Sequence, residues 1–560
     1  MPSFNEGDVA YVKVDTFNAK VLFKEKDAKR PWQNKKEPWK KAGMLWGDQV
    51  FIRKITGSKA EVSAKGHRLE IPLSKLTDQS IMCVWQIDCG QGDAAIVRLP
   101  DGRYGAIDLG PGRYGKFGTN SARTAVDFLK WIAFQDNNWR FEGANKQAPF
   151  HLDWIVLTHP DEDHIGAGQD FAKKLGKYWS VGTVYHPGVA RFKGKDAKEF
   201  DASATTEKGK LGFSQLGDIS GKSEKKLFLG TMIDGWGDVG KYLTTTSTRS
   251  WKLGGNYGKI LKALHGEKGK SVEKLQRLSH KSDGAALGDS NVDVKILGPI
   301  EEEDTLSGKP ALRYLDNNKV GGFYDLNGPS LTRNGHSVVL RFDYDEVRIM
   351  MTGDLNFKSQ ALLQKKWDAS EFKCHVAKAC HHGSDDISWK FLRAMSPLAT
   401  MFSSGDQETH VHPRALILGL SGGLSTPMKW NKPDGSGGSN VVKQTYDGFT
   451  EETLFTPLLY STELSRSVSL RTDMKAYTKH KNDDGSDRFE AVENTYLKGK
   501  RAGEKEVPLE NVHVADRITY GLINLRTDGK TIMMAVMEEG NRNKPEFHVE
   551  KFRPSELQEL

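Results

Sequence analysis

Residues 154–166 read Trp-Ile-Val-Leu-Thr-His-Pro-Asp-Glu-Asp-His-Ile-Gly, and this stretch decides the fold. A strand-forming apolar run, Trp154 to Leu157, ends at Thr158. It is followed at once by four metal-competent donors in six residues: His159, Asp161, Asp163 and His164. Imidazole nitrogens and carboxylate oxygens are ligands for zinc-like cations, and a turn leaving a buried strand brings alternate donors to one point. Donors placed so close to an apolar strand are costly to leave unpaired. A polar turn with capping aspartates is therefore the weaker reading, and a site for two divalent cations the stronger.

Outward from this turn, buried strands alternate with an amphipathic helix, the pattern of layered α/β architecture. Strands are predicted at 81–88, 94–99, 104–108, 154–158, 181–186 and 292–297, with hairpins at 337–352 and 517–537, the latter turning at Asp528-Gly529. Ala125, Phe128, Leu129 and Ile132 recur on one face of a helix predicted over 121–135. Periodicity fades over 188–290, a stretch rich in Gly, Ser, Thr and Lys that reads as an insertion. Residues 1–78 hold short strands, a lysine-rich loop and Trp32, Trp39 and Trp46, in an order similar to SH3-like domains. A Gly/Ser/Pro-rich loop over 421–440 marks a boundary. The expected division is a small β domain at 1–78, a catalytic domain at 79–420 with its insertion at 188–290, and a β-containing C-terminal extension at 421–560.

Several further motifs follow in a telling order: Val84-Trp85-Gln86-Ile87-Asp88-Cys89-Gly90-Gln91-Gly92-Asp93-Ala94, Ile107-Asp108-Leu109-Gly110, the 158–166 turn, Asn334-Gly335-His336-Ser337, Met351-Thr352-Gly353-Asp354 and Ala379-Cys380-His381-His382-Gly383-Ser384. Together they resemble the metallo-β-lactamase superfamily and, within it, the hydrolase domain of ComEC-type DNA-uptake proteins, over about residues 81–420 without the insertion. The resemblance implies an αββα sandwich holding two divalent metal ions. His159 and Asp161 would join His336 around one ion. Asp163, His164 and either His381 or His382 would hold the second, with Asp354 bridging and Asp108 supporting the metal turn from behind. Many superfamily enzymes carry histidine where Asp161 stands. A carboxylate there makes the site harder, so manganese is the alternative to zinc. Asp163 would also orient the attacking water. His412, in a literal His-Pro match, is the candidate to protonate the leaving group, and His410 competes with it.

The chain has 560 residues, 37% apolar and 28% charged, with a mean hydropathy of −0.57. This excludes a membrane-embedded or collagen-like protein. No secretory signal is visible at Met1–Asp8, and the four cysteines form no disulfide framework, so a cytoplasmic location is expected. The net charge of +8 is unevenly spread. Residues 171–290 carry 22 Lys or Arg against 12 Asp or Glu, and residues 1–80 carry 16 against 10, which leaves the rest of the chain net acidic. A basic insertion beside a carboxylate-rich metal centre suits a phosphodiester backbone, with Lys193, Lys195 and Lys252 as candidate contacts and Trp236, Tyr242, Trp251 and Tyr257 as candidate stacking partners. The expected activity is a phosphodiesterase or nuclease acting on DNA or RNA, with no membrane partner and a possible protein partner for the SH3-like head. The alternatives are hydrolysis of a small ester, lactone or nucleotide on the same centre, and a non-catalytic scaffold.

Overall fold

The computed structural model describes residues 3–24, 41–65, 67–112, 125–136, 150–176, 178–194, 215–220, 226–266, 272–304, 307–315, 328–405 and 412–424, and then shorter stretches: 428–431, 437–439, 441–446, 448–454, 458–462, 476–481, 487–492, 519–520, 522–537, 547–554 and 558–559. Trp32, Trp39, Lys195 and His410 lie outside the described residues.

Two sheets form the centre of the molecule. The first has nine strands in the order Lys274–Arg277, Trp179–His186, Phe150–Val156, Tyr104–Ile107, Ala95–Arg98, Met82–Gln86, Ile523–Thr527, Ile532–Met537 and Phe547–Phe552. The second has seven, in the order Val292–Gly298, Val339–Tyr344, Val347–Met351, Val376–Lys378, Ala399–Phe402, Leu458–Ser461 and Thr519–Tyr520. Strand side chains alternate between faces, and the sequence uses that alternation twice. Met82, Val84, Leu340, Phe342, Ile349 and Met351 fill the space between the sheets. Trp85 and Ile96 instead face outward onto the helices Ala125–Asp136 and Gly255–His265, while Val339 and Met350 face Phe357–Lys366 and Trp389–Met395. The result is an αββα sandwich, as expected.

Four differences from the sequence reading have physical causes. The N-terminal strands make an open seven-stranded sheet, not the closed SH3-like barrel: the edge strands Lys41–Leu45 and Leu76–Thr77 do not pair with each other. The sandwich takes the place of closure, because Leu45, Trp46 and Ile81 pack into its outer core. The boundary at 420 falls inside the sandwich, since Leu458–Ser461, Thr519–Tyr520 and three strands between Ile523 and Phe552 complete the two sheets. Within 188–290 most of the described elements are two to four residues long, yet the strand Lys274–Arg277 extends the first sheet and the longer helix Gly255–His265 buries Tyr257, Ile260, Leu261 and Leu264. Finally, Trp251 and Tyr257 belong to the core, and Tyr242 stacks on Trp251 with ring centroids 5.5 Å apart, so these aromatics are structural and not free for bases.

The N-terminal sheet is fastened to the sandwich by buried charge. Arg526 lies 2.8 Å from Asp48 Oδ1 and donates to the Trp46 carbonyl, Lys65 lies 2.6 Å from Asp48 Oδ2, and Arg98 donates to the Gly47 carbonyl at 2.6 Å. Among the described residues no helix is long and apolar enough to cross a membrane.

Candidate metal centre

The site forms where strand ends of both sheets converge. Tyr104–Ile107, Phe150–Val156 and Trp179–His186 run parallel, as do Val347–Met351, Val376–Lys378 and Ala399–Phe402. Their carboxyl ends deliver Asp108, the 158–166 turn, Asp354, His381, His382 and Ser403 to one edge, the usual place for sites in open α/β sheets. The Val338 N–H donates to the Thr158 carbonyl at 3.0 Å and locks the two ends together. From the other side comes the turn Gly90-Gln91-Gly92. Gly92 has φ +147°, and a Cβ there would lie 2.2 Å from the Asp163 carbonyl oxygen. Only glycine allows this approach, which sets Asp93 against the metal loop, its N–H 3.2 Å from that same oxygen.

The tautomers of two histidines follow from their partners. The His164 Nδ1–H donates to Asp108 Oδ2 at 2.7 Å and the His382 Nδ1–H donates to the Ser403 carbonyl at 2.8 Å. Both Nε2 atoms therefore turn inward, where they lie 3.2 Å apart. Asp354 Oδ2 sits 3.2 Å from one and 3.3 Å from the other, and Asp163 Oδ2 sits 3.3 Å from His382 Nε2. Two neutral imidazole lone pairs and two carboxylates facing each other repel unless positive charge lies between them. One donor atom from each of Asp93, His164, Asp354 and His382 lies within 4.8 Å of every other, and His159, Asp163 and His164 form a second such group. His159 Nε2 is buried without a hydrogen-bond partner, 3.9 Å from Asp354 Oδ2. This donor set fits divalent cations.

Electrostatics point the same way. Burial opposes charge on His382, but Asp354 and Asp93, with hydrogen bonds to Asp163 and Asp354, outweigh it and push its pKa up to about 10. His164 is raised in the same manner, against burial, by Asp354, Asp108 and Asp163. Asp163 and Asp354 are held below the usual carboxylate range despite burial, chiefly by His164 and His382. Burial and the neighbouring His164 hold His159 down to about 4. The carboxylates thus demand cationic charge, which protons on two imidazoles supply when nothing else does.

The remaining sequence candidates divide. Asp108 stands behind the turn, accepting from Thr158 N at 2.7 Å, Thr158 Oγ1 at 2.6 Å and His164 Nδ1. His381 is at the rim, its Nε2 3.7 Å from Asp354 Oδ2 and 3.3 Å from the Asn334 amide. His381 and His382 both have left-handed φ, 45° and 54°, a strained arrangement that persists where the surroundings enforce it. His412 stacks on His382 with centroids 6.2 Å apart and lies 5.5 Å from His381. Three of the expected ligands are in neither donor group: His381 at the rim, Asp161 and His336. Asp161 accepts from Arg333 Nε at 2.6 Å, and the His336 Nε2–H donates to the Arg313 carbonyl at 2.6 Å. From the same motif it is Ser337 Oγ that reaches His159 Nδ1, at 3.3 Å, and that accepts from the Asp354 N–H at 2.9 Å. Sequence reading missed Asp93, read only as part of a glycine turn, and Lys378, a charged residue ending an apolar strand.

The insertion touches the metal loop directly. The Asn256 amide donates to Glu162 Oε1 at 2.8 Å. Four residues earlier, Lys252 stands opposite Lys193 in the two-stranded ribbon Phe192–Gly194 and Trp251–Leu253.

Residues 123–249, which include the metal loop, match the metallo-beta-lactamase superfamily. The chain carries a metallo-beta-lactamase superfamily domain. No curated protein matches the sequence. Solved structures align with it at low identity. The metallo-beta-lactamase fold protein YhfI from Bacillus subtilis is 9% identical over 57% of this chain and 84% of that chain, with a TM-score of 0.25. A protein of unknown function from Enterococcus faecalis V583 is 11% identical over 56% of each chain, TM-score 0.24. A long form RNase Z from yeast is 9% identical over 58% of this chain and 37% of that chain, TM-score 0.22. Of the donor set, His159, Asp163 and His164 lie within the matched residues, and Asp93, Asp354 and His382 lie outside them.

Proposed function

We propose that the chain is a two-metal-dependent hydrolase acting on phosphodiesters, with DNA or RNA as the substrate class. The observation that carries the reading is the pair of inward Nε2 atoms, from His164 and His382, 3.2 Å apart and spanned by Asp354. Divalent cations held there, zinc or manganese, would polarise the scissile group and lower the pKa of water. His159, Asp163, His164, Asp354, His382 and Asp93 are the residues that would hold them.

The protein's own groups have separate tasks. Asp108 fixes the tautomer and direction of His164, and the Ser403 carbonyl does the same for His382. Asp163, with its side chain 17% exposed, faces the opening and is the group to orient the attacking water and take its proton. His412, packed against His381 and His382, is the group to protonate the leaving oxygen. Lys193 and Lys252 support the nucleic-acid reading. Like charges set directly opposite each other in a ribbon cost stability, and a polyanion crossing them would relieve that cost. The Asn256–Glu162 contact keeps this ribbon at the rim of the metal loop. The order of motifs, which resembles the ComEC-type pattern, favours the same substrate class.

The test is a panel of single-stranded, double-stranded and cyclic oligonucleotides in zinc or manganese, with Asp163→Asn as control. Cleavage by the wild type and not by the variant is expected. Turnover of small esters or lactones with no salt-sensitive nucleic-acid binding would replace this reading with the small-molecule one.

A further inference from the structure

Lys378 ends the buried strand Val376–Lys378 and is 2% exposed. Its ammonium contacts Asp93 Oδ2, donates to the Gly353 carbonyl at 2.9 Å and lies 3.5 Å from Asp354 Oδ1. Asp93 and Asp354 are also two of the four residues whose donor atoms converge on one point with His164 and His382. The lysine therefore binds the same two carboxylates that the metal centre would use. A lysine carries three donors and no acceptor, and burying it unpaired costs several kcal/mol. Both carboxylates are held by this one ammonium. Asp93, Asp108, Asp163 and Asp354 are all nearly inaccessible or face the cluster, and Lys378 is the fixed cation among the described residues that touches two of them.

We propose that Lys378 is a positioning residue for the metal centre: a built-in monovalent cation that holds the side chains of Asp93 and Asp354 aimed inward before any metal arrives. The inference rests on the metal-centre reading above. It has a thermodynamic signature that ordinary packing lacks. Without the ammonium, Asp93 loses its nearest positive charge in the metal-free protein, the imidazoles of His164 and His382 lying 3.8 and 3.6 Å away, whereas a divalent cation among the four donors supplies the missing charge. The metal-free form should then lose more stability than the loaded form.

The experiment uses the full chain, stripped with chelator and then reloaded with zinc or manganese chloride alone, followed by thermal denaturation and elemental analysis. For Lys378→Met, the metal-free Tm is expected to fall by about 3–4 °C, and the metal-induced rise in Tm to exceed that of the wild type by a similar amount. Lys378→Arg, which keeps the charge, should retain most of the metal-free stability. The double variant Asp93→Asn/Lys378→Met should recover much of the metal-free Tm that Lys378→Met loses. If Lys378→Met is soluble only when metal is present, that also supports the role. An equal fall in Tm with and without metal, or a double variant no more stable than Lys378→Met, would overturn it while leaving the metal centre intact. A wild type that neither binds metal nor responds to it would overturn the metal reading itself, and this inference with it.

Discussion

Replacing Asp108 by asparagine isolates the part of the site that does not touch the reacting centre. Asp108 has φ +57°, a left-handed conformation that asparagine adopts almost as readily, so the backbone should accept the change. What changes is the acceptor count. The carboxylate receives three hydrogen bonds, from Thr158 N at 2.7 Å, Thr158 Oγ1 at 2.6 Å and His164 Nδ1 at 2.7 Å. An amide has one oxygen, and its NH2 must face a donor. If the oxygen keeps the Thr158 backbone, the NH2 meets the His164 Nδ1–H, and the imidazole loses the partner that turns its Nε2 inward. Loss of such an outer partner typically costs 10–100-fold in metal affinity, or about 1.4–2.7 kcal/mol. Titration against a chromogenic chelator measures this, with circular dichroism to show that the fold persists. An affinity within about twofold of wild type, in a folded variant, would refute the claim that Asp108 sets the direction of His164.

Further outcomes follow from the same geometry. His382→Ala should abolish stabilisation by metal in thermal denaturation, because it removes one of the two inward Nε2 atoms. His412→Ala should lower turnover by about 10²–10⁴-fold while elemental analysis shows unchanged metal content, since it packs on the ligands without joining the donor groups. Arg526→Met should cost about 3–5 kcal/mol in urea denaturation, because it leaves Asp48 buried with Lys65 alone; Arg526→Met/Asp48→Asn should cost less. The same aspartate gives a pH dependence. Burial would raise its pKa, yet Arg526, Lys65 and the Leu45 N–H lower it from 3.8 to about 2. A depressed carboxylate stabilises the fold above pH 3.8, and the contribution, about 2–3 kcal/mol, is lost as pH falls from 3.8 to about 2; wild type should lose this increment in acid denaturation and Arg526→Met should lose much less of it. Lys193→Glu/Lys252→Glu should weaken nucleic-acid binding and make its salt dependence shallower by about one to two units of log–log slope, read by fluorescence anisotropy.

The metal turn was legible because its donors are contiguous. His159, Asp163 and His164 lie within one turn, so local geometry alone brings them together. The opposite wall was legible in part. Asp354 and His382 stand at strand ends where the chain must turn, but the backbone decided that Ser337 and Asn334, not His336, face the cluster, and a one-residue difference in direction cannot be read from composition. Asp93 reaches the site only through the close packing of Gly92 on Asp163, a tertiary contact with no local pattern. The same applies to the C-terminal strands: Ile523–Thr527 reads as an ordinary hairpin strand, and only pairing with Met82–Gln86, some 440 residues away, makes it part of the sandwich. The N-terminal sheet shows the converse error. Three of its seven strands, Val9–Val12, Gln49–Thr56 and Lys59–Ala64, coincide with runs legible in the sequence, yet barrel closure depends on what the sheet's edges meet, and Trp46 meets the sandwich.

The central claim is that His164 and His382 share bound divalent metal with the surrounding carboxylates. Its most direct test is elemental analysis of the full chain purified without chelator, alongside His164→Ala, whose missing imidazole belongs to both donor groups. Retention of about two equivalents of zinc or manganese by the wild type, and a large loss in the variant, is the predicted result. A folded wild type that holds no divalent metal and gains no thermal stability when zinc or manganese is added would contradict the account.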